Sequence, residues 1–370
     1  MTVSAQRAAE ENARPVWSLA RRALFIRLRS IGDTVLMTPC LAALKSWRPD
    51  IEIAVVSEPL AAPILEDHPL VDELIIARPD LSSRLRLISS LRRERFDVAF
   101  DMHGGTTATI IAALSGARHT VGYRGYRYSF LLSRRAPSPD SLLGRARVHS
   151  VEQQLALLQW TGVPWPEDGP RLSLKVPGEA EAAARDRLSA CLPPGRGRDS
   201  ALAPFACLAP AAALGSKQWS PGGFARVADH LRERWQMASV VIAGPGQERL
   251  AGEVVRDSRT KPSIVSGLTL KELIAVMSMA AVFVGNDSGP MHIAAALARP
   301  VVAVFGSSNA DVWHPWARSP YRVVKARATG LRGAEPSIAS VPAEDVLASL
   351  DEVMQARVEA HPGAGQAFKD

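Results

Sequence analysis

Four acids, two histidines and a lysine follow apolar, β-branched runs in this chain, at the places where a strand gives way to a helix. A helix N-terminus leaves amides unpaired beside a partial positive charge, so such turns suit anions. In Asp287-Ser288-Gly289-Pro290-Met291-His292, Pro290 is preorganised for a first helical position. Asp287, Ser288, Gly289 and His292 stand where a phosphorylated sugar could meet that helix end. The same Asp and Ser also serve as ordinary caps, and the Gly as an ordinary turn residue. The helix end disfavours a protonated His292, leaving a neutral imidazole that donates one hydrogen bond.

Asp33 follows Gly32 after another apolar run. Either it caps the helix, or it acts as a general base toward a sugar hydroxyl, where Gly leaves room. Direct displacement of a leaving group by a hydroxyl needs such a carboxylate. Lys217, in the loop 210–221, is either simply solvated or places its charge on a diphosphate leaving group. Glu248, in Ala243-Gly-Pro-Gly-Gln-Glu248, either binds ribose hydroxyls or caps a helix, and Gly244 and Gly246 lack the fuller dinucleotide spacing. Asp101 and His103 resemble an acceptor-side pair, ranked after Asp33. No His, Cys or carboxylate cluster has metal-ligand spacing, so Lys217 and the helix terminus would do the work of a divalent cation.

The elements that position these residues alternate. Strands are expected at 23–28, 51–56, 73–77, 96–100 and 120–122. Helices are expected at 34–47 (kinked at Pro39), 60–66, 82–95 and 107–114. In the helix over 82–95, Leu85, Ile88 and Leu91 lie to one side. Helices over 150–160 and 180–188 lead to Leu192–Ser200, a linker rich in Pro, Gly and charge. A second series has strands at 205–210, 239–243, near 264, 281–284 and 301–305. Its helices are expected at 221–235, 247–257, 270–279 and from Pro290, with a last one over 343–356. This is an α/β chain with parallel sheets wrapped by helices. The expected domains are residues 1–195, residues 196–335 and a C-terminal helix and tail over 336–370. Two doubly wound domains bind ligands in the cleft at the carboxyl ends of their strands, where all the polar loops above should converge.

A length of 370 residues allows two domains, and 47% hydrophobic with 22% charged residues is the balance of a soluble protein. No apolar run is long enough to span a bilayer. The N-terminus lacks a secretion signal, so the expected location is the cytoplasm. Cys40, Cys191 and Cys207 are scattered and read as small buried residues. The net charge of +7 comes mainly from Arg. Arg118, Arg124, Arg127, Arg134, Arg135, Arg145 and Arg147 share thirty positions with a single acid, Asp140. Such a cluster is either a solvated face or a site for an anionic partner, since Arg binds phosphate two-pronged. A nucleic-acid partner is not expected: no recognition motif is present and aromatic content is only 6%. Phosphorylated lipid at a membrane surface fits the charge equally well.

Three segments resemble the heptosyltransferases of lipopolysaccharide core synthesis, glycosyltransferase family nine. They are Ile26-Arg-Leu-Arg-Ser-Ile-Gly-Asp-Thr-Val-Leu-Met-Thr-Pro39, Lys217-Gln-Trp219, and Asp287-Ser-Gly-Pro-Met-His292 running into Pro300-Val-Val-Ala-Val-Phe-Gly306. The likeness covers roughly residues 23–318. It implies a GT-B fold of two Rossmann-like domains, and metal-independent, inverting transfer from a nucleotide-diphosphate sugar, usually ADP-heptose, with no other cofactor. It also implies that Asp33 is the base and Lys217 the diphosphate contact. Asp287, Ser288, Gly289 and His292 become donor contacts, with Glu248 a candidate nucleotide contact. The acceptor side, in the first domain, draws on Arg29, Ser30, Gly32, His103, Arg124 and Arg127. There are departures: Arg29 stands where Ser is common, Ser220 interrupts the usual Trp-Pro pair, and Ser288 replaces Thr.

The expected enzyme therefore moves a sugar from a nucleotide donor to a lipopolysaccharide-core or related anionic glycolipid at the inner face of the inner membrane. Two rivals share the motifs: a GT-B-like nucleotide-sugar epimerase, which needs no acceptor, and a non-catalytic nucleotide-sugar binder, which needs no base.

Overall fold

The structure, a computed structural model, describes residues 16–194, 202–326 and 337–360. It divides into two compact units, Met1–Lys175 and Val176–Asp370, each with one parallel sheet and its own apolar core.

The first unit holds β1 (Arg22–Ile26), β2 (Glu52–Ser57), β3 (Glu73–Ile76), β4 (Val98–Asp101), β5 (His119–Tyr123) and β6 (Arg134–Ala136), ordered β3-β2-β1-β4-β5-β6. Its helices are α1 (Ile31–Trp47), α2 (Leu81–Glu94), α3 (Thr106–Leu114), α4 (Pro139–Leu143) and α5 (Ser150–Trp160). Parallel strands covered on both faces read as continuous apolar runs, and Ala23-Leu24-Phe25-Ile26 is wholly buried. Leu24 and Ile26 pack with Leu87 of α2 and Ile111 of α3, while Phe25 stacks on Phe100 at 5.2 Å.

Helix α1 runs unbroken through Pro39. The Val35 carbonyl, which a proline at position 39 leaves without its amide, accepts the Thr38 hydroxyl at 2.8 Å instead. In α2 the buried leucines are Leu87 and Leu91. Leu85, expected on one side with Ile88 and Leu91, is exposed.

The second unit opens with α6 (Gly178–Ser189), which the sequence grouped with the front half but which packs on α9 (Leu270–Met279). Its strands are β7 (Phe205–Ala209), β8 (Ala238–Ala243), β9 (Ser263–Ser266), β10 (Val282–Asn286), β11 (Val301–Phe305) and β12 (Tyr321–Lys325), ordered β12-β11-β10-β7-β8-β9. The other helices are α7 (Pro221–Trp235), α8 (Glu248–Asp257), α10 (Gly289–Ala296), α11 (Ala310–Trp313) and α12 (Ala343–Ala360). Val346, Leu350, Val353 and Met354 of α12 belong to this unit's core. Most of the expected linker at 192–200 lies outside the described residues, as do the ends of the chain.

Counted from each unit's own first strand, both sheets have the order 3-2-1-4-5-6. The order reverses between β1 and β4 in one and between β7 and β10 in the other. Ligands of open α/β sheets bind at such reversals, outside the carboxyl ends of the strands.

Candidate active site

At the reversal of the first sheet, β1 leads into α1 and β4 into α3. Helix α1 starts at Ile31, earlier than expected, so Asp33 is its third residue and not its cap. Its Oδ2 accepts the Ser30 amide at 3.3 Å and the Ser30 hydroxyl at 3.1 Å, the reciprocal half of a capping box. Its Oδ1 lies 2.5 Å from Nη2 of Arg27, a residue only 6% exposed. Nη1 of Arg27 donates to the Met102 carbonyl, tying the end of β4 to the same group. Arg27 is the first residue past an apolar strand. The sequence offered no sign that its side chain turns toward Asp33 and not to solvent. Gly32 lies buried in the first turn of α1.

Asp101 and His103 do not form a side-chain pair. The buried Asp101 carboxylate accepts the His103 amide (3.0 Å), the Gly104 amide (2.8 Å) and the Thr109 hydroxyl (2.5 Å). It pins the turn, and burial pushes its carboxyl above the ordinary value. The His103 ring instead places Nδ1 3.1 Å from the Arg29 carbonyl. A carbonyl only accepts, so a neutral ring carries its proton on Nδ1 and offers Nε2 as an acceptor. Burial first, and then the Arg27 charge, lower the His103 pKa and favour that neutral ring. The Arg29 side chain is mostly exposed, 3.8 Å from Glu58.

Arg124 and Arg127 occupy the crossover from β5 to β6 and are exposed. The Arg124 amide donates to the Ala136 carbonyl (2.8 Å), and the Arg127 guanidinium lies 5.5 Å from the Tyr128 ring centre. Tyr126 fixes this crossover to the His103 turn. Gly104 has φ +73°, and a Cβ there would meet the Tyr126 ring at 2.5 Å. The basic segment is therefore not one uniform patch: Arg134 and Arg135 form an edge strand, and Arg145 pairs with Glu152.

At the reversal of the second sheet, Lys217 closes a 3₁₀ turn (Gly215–Lys217) and its Nζ lies 2.6 Å from Asp287 Oδ2. Asp287 is buried, while about a third of the lysine side chain is exposed (35%). An ammonium has three donors, so this pair aims a cation at the mouth of the reversal with donors beyond the one Asp287 takes. Asn286, which the sequence reading did not single out, holds the arrangement together. It donates to the Pro210 carbonyl (2.8 Å) and accepts the Trp219 amide (3.1 Å). Its only sequence signal was a polar residue ending an apolar strand.

Helix α10 starts at Gly289, with Ser288 as cap and Pro290 in the first turn. The Ser288 hydroxyl turns back to the Asn286 carbonyl (3.2 Å) and makes no capping bond to the first turn. Pro290 has no amide proton and the Met291 amide donates to the Ser288 carbonyl at 3.1 Å, which leaves the Gly289 amide of that turn for an anion. His292 is buried in that turn. Glu248 opens α8, exposed at the carboxyl edge of the neighbouring strand β8, and Gln247 accepts the Gly244 amide at 3.0 Å. Ser220 is the cap of α7, accepting the Gly223 amide at 3.1 Å with Pro221 behind it. The interruption of the Trp-Pro pair is therefore an ordinary helix start.

Two doubly wound units of one strand order make up the GT-B fold of glycosyltransferases. Residues 84–331 match glycosyltransferase family 9 (heptosyltransferase), and the chain belongs to that family. Lipopolysaccharide heptosyltransferase 3 of Escherichia coli is 26% identical over 347 residues, 88% of this chain and 97% of that protein. Among solved structures, a family 9 glycosyl transferase from Veillonella parvula superposes with a TM-score of 0.79 at 21% identity, covering 90% of this chain and 97% of that one. The ADP-heptose lipopolysaccharide heptosyltransferase II of E. coli gives 0.73 at 24%, covering 90% and 98%. At these identities the two structures speak for the fold.

Proposed function

We propose that the chain is an inverting, metal-independent heptosyltransferase that moves heptose from ADP-heptose to a lipopolysaccharide-core or related anionic glycolipid. The observation that carries this reading is the pairing of charges at the two sheet reversals: Asp33 with Arg27, and Lys217 with Asp287 at the start of α10. The names of the relatives supply the donor and acceptor classes.

In this reading the first unit takes the acceptor and the second the donor. Asp33 removes the proton of an acceptor hydroxyl as its oxygen attacks the anomeric carbon. The bond from that carbon to the diphosphate oxygen breaks, and its electron pair leaves with the nucleotide diphosphate. Lys217 and the Gly289 amide at the start of α10 receive the growing charge, the place where electrostatic stabilisation contributes most. One displacement inverts the anomeric centre. Asp287, Ser288, Gly289 and His292 hold donor sugar and phosphate, and Glu248 reaches ribose hydroxyls. His103 Nε2 accepts from an acceptor hydroxyl beside Arg29, Ser30 and Gly32, while Arg124 and Arg127 hold acceptor phosphate. Transfer would take place on the cytoplasmic face of the inner membrane.

A mass-spectrometric screen of nucleotide sugars retained by the purified protein, followed by assay with core fragments, tests this. The expected result is retention of ADP-heptose and a product one heptose heavier. Retention of a uridine sugar that isomerises without acceptor would overturn it.

A further inference from the structure

Helix α2 carries a second apolar stripe that the core of its unit does not use. Leu87 and Leu91 are buried, but Leu81 and Leu85, one turn apart, are 73% and 60% exposed. Positions 81, 85, 88 and 92 share a face of a 3.6-residue helix. Ile88 is half-buried between the two stripes. Arg92 Nε donates to the Leu114 carbonyl at 2.9 Å, which brings the partly exposed end of α3 alongside.

The polar part of the helix is cationic. Arg84, Arg86, Arg92 and Arg93 lie within it and Arg78 and Arg95 flank it, against the acids Asp80 and Glu94. Both acids already have partners. Asp80 caps the helix, accepting from Ser82 (2.7 Å) and Ser83 (2.8 Å), and Glu94 pairs with Arg22 (2.8 Å). Arg86 and Arg93 are exposed, about a quarter turn round the helix from Leu85. The stripe has no aromatic residue of the kind that anchors protein interfaces. A second copy meeting it across a twofold axis would set arginines against arginines. Exposed leucines bordered by arginines suit a bilayer interface, with the apolar side chains at the acyl boundary and the guanidinium groups on anionic headgroups.

We infer that α2 is a membrane-docking element, laying Leu81 and Leu85 onto an anionic bilayer. The inference rests on the reading of a lipid-anchored glycan as acceptor and names the surface that meets it. Helix α2 follows β3, so its Leu81 end begins at the carboxyl edge of the first sheet, the edge that also holds Asp33 and His103.

The test is co-sedimentation of the full chain with vesicles of phosphatidylcholine alone and of phosphatidylcholine mixed with phosphatidylglycerol. The wild type should bind the mixed vesicles and release as salt is raised. A Leu81→Gln/Leu85→Gln variant should bind them at least about tenfold more weakly, and Arg86→Glu/Arg93→Glu likewise. Both variants should keep the wild-type melting temperature and turnover on a water-soluble acceptor fragment. Undiminished vesicle binding by the leucine variant, or equal binding of the wild type to both vesicle types, overturns the inference. So does a wild-type dimer that the leucine variant dissociates, which would make the stripe a contact between copies. If the soluble acceptor is never glycosylated while vesicle binding follows the expected pattern, the docking stands and the acceptor reading fails.

Discussion

Asp33 has both oxygens engaged, one by the Ser30 amide and hydroxyl and the other by Arg27. The side chain is therefore held in one orientation before any substrate arrives, which is what a proton acceptor at a strand-end turn requires. Arg27→Gln should lower turnover by about a hundredfold and leave donor affinity unchanged, because the proposed donor contacts lie in the other unit. Turnover near wild type in a variant that melts normally would remove Arg27 from that role. The histidines make a separate prediction. Burial lowers the pKa of His68 and His103 below the ordinary 6.5. Below that value the unfolded chain binds more protons than the folded one, so stability should fall as pH drops through it and level off once the folded rings protonate. Thermal melts on either side of 6.5 check the sign, and His68→Gln should make the dependence shallower.

At the scale of elements, the loop carrying Lys217 is positioned by groups outside it. Asn286 fastens it at Pro210 and Trp219, and the buried Trp219 indole donates to the Val341 carbonyl at 3.0 Å just before α12. Asn286→Ala leaves buried polar partners unpaired, a cost of about 1–3 kcal/mol. It should lower the melting temperature and raise the KM for the donor more than it lowers kcat. An unchanged donor KM would show that the loop holds its place without Asn286.

The central strands and their helices were legible because buried parallel strands are continuous apolar runs with helical periodicity between them. Of the four edge strands, β3 and β9 were read and β6 and β12 were not. Arg134-Arg135-Ala136 and Tyr321–Lys325 are polar or half-exposed, with a neighbour on one side only, so no apolar run marks them. Asp33, Lys217 and the Asp287–His292 turn were visible from their place after strands. Arg27 and Asn286 were not, because what distinguishes them is the direction of a side chain across the sheet. Leu85 misled for a related reason: periodicity marks which residues share a face, and packing decides which face is covered.

At the scale of the molecule, two units repeat one strand order, and each brings its candidate site residues to its own reversal point. Domain division of this kind separates two functions that can be measured apart. ADP should stabilise the protein through the second unit, by about 2.7 kcal/mol at a hundredfold excess over Kd, and Lys217→Ala should weaken that effect while Asp33→Asn should not. The most direct measurement compares Asp33→Asn with the wild type in donor binding and in transfer, each followed by mass spectrometry on the same preparation. The account predicts wild-type retention of ADP-heptose with transfer reduced at least about a hundredfold. Transfer at the wild-type rate by Asp33→Asn would contradict it.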